Sequence, residues 1–102
     1  MTTFSQTGGA RIGEGSILAF NATWPFATLT IDEREIILRC LWMKWIFPKE
    51  TIRSLTVHDG AFSTGLRIVH ANKNYTDFIV FWSFKIGKLL QELKARGYTI
   101  GK

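Results

Sequence analysis

Few side chains in this 102-residue chain are suited to covalent or metal chemistry: one cysteine, Cys40, and two histidines, His58 and His70. Hydrolysis needs a nucleophile, a base and an orienting acid gathered at one pocket. Asp59 follows His58 directly, but neighbours along an extended segment point to opposite faces, so adjacency makes no dyad. Cys40 is in phase with Ile36 and Leu38, which predicts a buried thiol with a raised pKa that packs and does not attack. No HExxH, GxSxG, CxxC or phosphate-loop pattern occurs. Gly8, Gly9, Gly13 and Gly15 are dense enough for a phosphate cradle, yet they precede a strand-like segment and not a helix N-terminus. A single cysteine excludes an internal disulfide and the all-cysteine zinc sites. The expectation is a protein that is not an enzyme and carries no metal and no cofactor. A small hydrolase or metal site around His58 and His70 is the weakest alternative.

The elements that would position these groups follow from length and pattern. The length suits one domain, and 46% apolar with 21% charged residues is a globular composition. No apolar run approaches the roughly 18 to 20 residues that cross a bilayer, the longest candidate being Phe78 to Trp82. The first residues lack a basic start followed by an apolar stretch, so no secretory signal is expected, and the expected location is the cytoplasm. Residues 1–14 mix Thr, Ser, Gln and Gly without an apolar pattern and predict a flexible leader ahead of a single domain over 15–102.

From residue 16 the apolar period is two. Seven short strands are predicted: Ser16 to Thr23, Ala27 to Asp32, Glu35 to Leu41, Lys44 to Phe47, Ile52 to His58, Leu66 to His70, and Asp77 to Trp82. Trp24-Pro25 breaks the first from the second, because proline donates no ladder hydrogen bond. Asp59 to Gly65 is a glycine-bounded loop. The period then changes: Ile86, Leu89, Leu90 and Leu93 fall at helical spacing, with Ser83 as N-cap, Gly97 as left-handed C-cap, and Glu92 and Arg96 paired four apart.

A net charge of +5 and a pI near 9.7 favour salt-sensitive contact with polyanions, but Arg39, Lys44, Lys49, Arg53, Arg67, Lys73, Lys85 and Lys88 are scattered. The apolar residues out of phase with the core say more. Phe78 to Trp82 is apolar on both faces, and Trp42 and Ile46 share the parity of Lys44. One helix cannot cover every strand, and an uncovered apolar patch marks a partner surface. The expected binding residues are Trp42, Ile46, Ile79 and Phe81, with the cations Lys44 and Lys73. The expected function is protein binding or self-assembly. Anionic membrane lipid and nucleic acid are the alternatives that the charge leaves open, and no small-molecule substrate is indicated.

Seven antiparallel strands and one C-terminal amphipathic helix resemble the pleckstrin-homology-like barrel. Three segments resemble the small bacterial pleckstrin-homology-like domains: Trp24 to Asp32, Ile46 to Leu55, and Phe81-Trp82 before the helix. The resemblance spans about residues 16 to 100. It implies two orthogonal sheets forming a barrel plugged at one end by the helix. It further implies lipid binding by basic residues of the first strand and first loop, with help from the third–fourth and sixth–seventh loops. This chain departs there: Ser16 to Thr23 holds no Lys or Arg, and the other loops offer single cations, Lys44 and Lys73. The dense basic pocket that grips a phosphorylated inositol is not visible in the sequence.

Overall fold

The computed structural model describes residues 2–13, 20–60 and 63–101. Its eight strands are β1 (Phe4–Ile12), β2 (Phe20–Ile31), β3 (Glu35–Cys40), β4 (Met43–Pro48), β5 (Ile52–Asp59), β6 (Thr64–His70), β7 (Ile79–Ser83) and β8 (Ile100–Gly101). A 3-10 turn, Lys49–Thr51, joins β4 to β5, and the helix α1 (Ile86–Ala95) lies between β7 and β8. The fold is mainly β with one C-terminal helix, as the pattern predicts. The sheet arrangement differs from expectation: all eight strands form one mixed sheet, in the order β4-β3-β2-β1-β7-β6-β5-β8, curled into a half-barrel. The extra pairing is parallel, Leu55 with Ile100 and Thr56 with Gly101.

The glycine-rich start, expected to be a flexible leader, is instead the central strand. β1 pairs with β2 from Phe4↔Ile31 to Ile12↔Phe20 and with β7 from Gly9↔Trp82 to Ile12↔Ile79. Its glycines serve close approach and not flexibility. A Cβ on Gly8 would overlap the carbonyl oxygen of Trp82, and one on Gly9 would sit 2.6 Å from that of Ala22. β7 is buried on both faces: Ile79 and Phe81 belong to the core with Leu89 and Leu93 of the helix, and Val80 on the other face is fully buried too.

The two strands expected on either side of Trp24-Pro25 are one strand, β2. Ser16 to Ala19, the start of the expected first strand, lies outside the described residues. The register of β2 against β1 slips by three residues between Ala22, opposite Ala10, and Ala27, opposite Gly8. Thr23, Trp24, Pro25 and Phe26 therefore bulge from the ladder, which is how the strand accommodates a proline. The Trp24–Pro25 peptide is cis.

α1 packs Leu89 and Leu93 into the same core as Leu38, Phe47, Ile68 and Phe81. Its C-terminus is capped as the sequence predicts: Gly97 has φ +88°, its N–H donates to the Lys94 carbonyl, and the Tyr98 N–H donates to that of Leu93, each at 3.1 Å. Ser83 is not the N-cap. Lys85 holds that position, and the Ser83 hydroxyl accepts the Lys85 N–H at 3.0 Å. Buried Arg96 ties the helix end to the chain start, donating to the Thr2 carbonyl at 3.1 Å from Nε, and to Glu92 Oε1 at 2.7 Å. Tyr98 donates to the Asp32 carbonyl at 2.9 Å, and Lys49 donates to the Arg96 carbonyl at 2.7 Å.

Candidate functional site

The groups capable of covalent chemistry are kept apart. His58 pairs with Gly65 and His70 lies opposite Ile52, so the two histidines occupy opposite ends of the β5–β6 hairpin. The His58 ring rests between Phe78 and Trp82, with centroids 5.6 Å from each. His70 packs 5.2 Å from Phe47, with the Asn72 N–H donating to Nδ1 at 3.1 Å. Its Nε2 must then carry the hydrogen that reaches the Thr76 carbonyl at 2.8 Å, so both ring nitrogens are occupied. Cys40 is fully buried, and burial pushes its thiol pKa up. Among the described residues, no three His, Cys, Asp or Glu side chains are grouped to hold a metal.

Apolar side chains in water are concentrated elsewhere. Cys40 and Met43 close the β3–β4 hairpin over two residues, Leu41 and Trp42, which are 51% and 84% exposed. Two-residue hairpin turns favour Asn and Gly because they need positive φ. Leu41 holds φ +57°, a conformation costly for a branched side chain. Its N–H donates to the Phe26 carbonyl at 3.2 Å, which fixes the turn beside the β2 bulge. There Trp24 and Phe26 are each 55% exposed, and Phe84, just before α1, is 77% exposed.

Trp24 and Phe84 form a ridge between two concavities. One, of about 510 Å³, is lined by Gly9, Ala22, Thr23, Trp82 and Ser83 among others. The other, of about 450 Å³, is lined by Phe4, Gln6, Lys85 and Lys88 among others. Its polar wall is already engaged: Ser83 donates to Gln6, and Gln6 donates to the Lys85 carbonyl at 3.2 Å.

Cations flank the apolar residues. Arg39 lies directly opposite Lys44, one pair from the turn, and both are exposed without an ion-pair partner among the described residues. Like charges in that relation destabilise a strand pair. The carboxylates of this half of the sheet, Asp32, Glu33, Glu35 and Glu50, sit at the far end of β3 and β4. Hydrogen bonds from the Arg34 and Glu35 amides hold the Asp32 carboxyl below its ordinary range.

The expected binding residues divide. Trp42 and Lys44 lie together at the exposed turn. Ile46 is half-buried on the edge strand β4, its N–H donating to the Tyr75 hydroxyl at 3.1 Å. Lys73 is exposed in the β6–β7 loop, on a different element from the turn. Ile79 and Phe81 are core residues, a correction: they share the face of β7 that packs with Leu89 and Leu93. Trp24, Phe26 and Phe84 were not expected at the site; an aromatic on each side of Pro25 is the signal that marks the bulge. No protein-family model, no curated protein and no solved structure matches this chain. Among the described residues, no helix is long and apolar enough to cross a membrane.

Proposed function

We propose that this chain is a non-enzymatic binding module that docks on a macromolecular partner through its aromatic end. The observation that carries the reading is the continuity of five exposed large apolar residues, Trp24, Phe26, Leu41, Trp42 and Phe84, on segments that touch one another. Scattered surface apolars are ordinary, whereas a contiguous group marks an interaction site. A pleckstrin-homology-like build belongs to this proposal and draws on the curled sheet and the helix that follows its seventh strand. A cytoplasmic location accords with a chain held by packing, its one cysteine buried.

The triple variant Trp24→Ser, Trp42→Ser, Phe84→Ser tests the docking surface. Retention on immobilised phenyl groups is expected to fall while the unfolding free energy from urea titration stays within about 0.5 kcal/mol per site of the parent. Unchanged retention, or a total loss of stability beyond about 3 kcal/mol, would show that these side chains serve the fold and would overturn the reading.

A second reading, self-association through Trp42 and Ile46, draws on β4 being an edge strand whose ladder partner is β3 alone. Sedimentation velocity over a wide concentration range decides it, a monomer throughout removing it.

A further inference from the structure

We infer that the macromolecule docked at the aromatic end is a single-stranded nucleic acid, one base of which seats in the concavity between Trp82 and the Trp24–Phe84 ridge, while Lys85 and Lys88 meet its phosphates. The inference rests on the docking reading and names its partner. The concavity has the size and build of a ligand site: about 510 Å³, within the roughly 300–1,000 Å³ of small-molecule pockets, with aromatic walls and a few polar groups at its edge. Its inner wall is fixed. A Cβ on Gly65 would stand 2.9 Å from Trp82 Cε3 and one on Gly60 2.9 Å from Cη2, so the indole lies against both glycines, with the His58 ring 5.6 Å away. The outer wall, Trp24 and Phe84, stands mostly in water. Rings on two sides of a gap suit a planar guest, and every base presents a face that stacks on an aromatic side chain.

Polar chemistry narrows the guest. The Asn21 amide and the hydroxyls of Thr23 and Ser63 line the concavity without a hydrogen-bond partner among the described residues, and no charged side chain of those residues lines it. An amide offers a donor and an acceptor side by side, the pattern that pairs with the edge of an adenine. Charge lies across the ridge. Lys85 and Lys88 line the second concavity, which shares Trp24 and Phe84 with the first, and Lys88 is shared with Glu92 at 3.0 Å. Asp59 pairs with Thr64 next to Ser63, which lines the first concavity and not the second, so that carboxylate and the two lysines lie on different sides of the seated base. At the hairpin turn Arg39 and Lys44 stand beside exposed Trp42, a further ring with cations next to it. Alternating rings and cations are the parts of a single-strand track. A second copy would set +5 against +5, and an acidic peptide would bring charge without a planar edge for Asn21.

The test titrates the full chain with a labelled single-stranded oligodeoxyadenylate of about ten nucleotides, read by anisotropy and by tryptophan emission, at low and high salt. Binding is expected to quench the emission and to weaken in high salt. An abasic strand of equal length and charge is expected to bind about tenfold or more weakly, and the same strand annealed into a duplex also more weakly, because its bases are stacked away. Trp24→Ser with Phe84→Ser is expected to lose about tenfold or more. Asn21→Ala is expected to weaken the adenine strand about tenfold and to leave the abasic strand unchanged. Lys85→Gln should weaken both strands alike and lower the salt slope by about one, with Lys94→Gln, a charge change on α1 that lines neither concavity, as the matched control. Circular dichroism melts confirm that each variant is folded. Equal binding of the abasic strand would show attraction by charge alone and overturn the base site. Adenosine monophosphate bound as tightly as the strand would assign the concavity to a free nucleotide and overturn the polymer. Binding that survives Trp24→Ser with Phe84→Ser would also overturn the inference. Retention on phenyl groups without binding to the strand would overturn the nucleic-acid assignment and leave the docking surface standing, and loss of both would remove the two together.

Discussion

Leu41 offers a perturbation whose two effects oppose each other. At φ +57° an L-residue pays about 1–2 kcal/mol of backbone strain, and asparagine pays less because its short polar side chain tolerates the left-handed region. Against that relief, Leu41→Asn surrenders the covered part of the side chain. With 51% exposure, about half of the roughly 1.5–3 kcal/mol for full burial is lost, or about 1 kcal/mol. The expected net change is between zero and a gain of about 1 kcal/mol. The same substitution at Leu38, fully buried on β3 just before the turn, forfeits all of that burial and strands an amide in the core, a loss of about 4 kcal/mol or more. Urea denaturation with unchanged slope measures both, and retention of Leu41→Asn on immobilised phenyl groups should fall while its stability holds. A loss above about 2 kcal/mol at Leu41 would show a strut of the hairpin and refute the reasoning.

The remaining predictions concern the frame that holds this end in place. Gly8→Ala puts a methyl group into the Trp82 carbonyl and is expected to cost about 2 kcal/mol or more by chemical denaturation; a neutral result would detach β1 from β7. Leu93→Ala empties a fully buried position between helix and sheet and should cost about 3–5 kcal/mol, with an unchanged melting temperature contradicting the packed helix. Hydrogen bonds from Arg96, then Lys88, hold the Glu92 carboxyl below its ordinary value of 4.5. Because the folded value is depressed, that contribution is full above the unfolded value and disappears as pH falls through the folded one. The melting-temperature gap between the parent and Glu92→Gln should therefore be largest near neutral pH and narrow as the pH falls below 4.5, and a gap independent of pH would contradict it.

Strands β3 to β6 and the helix are legible in the sequence because each keeps a single dominant period, and β7 is legible as a short apolar run ahead of the helix. β1 is not, since its signal is glycine. The same residue supplies flexibility in a linker and close approach in a crowded sheet, and only the location of β7 distinguishes the two. β7 is apolar at every position from Ile79 to Trp82, so its alternation does not say which face turns inward; Ile79 and Phe81 do, against Leu89 and Leu93. β2 is split in the sequence reading because Pro25 breaks a ladder, and a three-residue slip in register lets one strand carry it. That slip exposes Trp24 and Phe26, so the residues hardest to foresee are those that a long-range pairing pushes outward. Trp42 and Lys44 were legible because a hairpin turn keeps its residues in water whatever else packs nearby.

The most direct test follows the emission of Trp42 alone, in the variant Trp24→Phe, Trp45→Phe, Trp82→Phe, free in solution and held on beads that carry phenyl groups. Docking through the turn predicts a blue shift on the beads. An unshifted Trp42 on a retained chain would contradict docking by the turn, and no retention would contradict the docking surface itself.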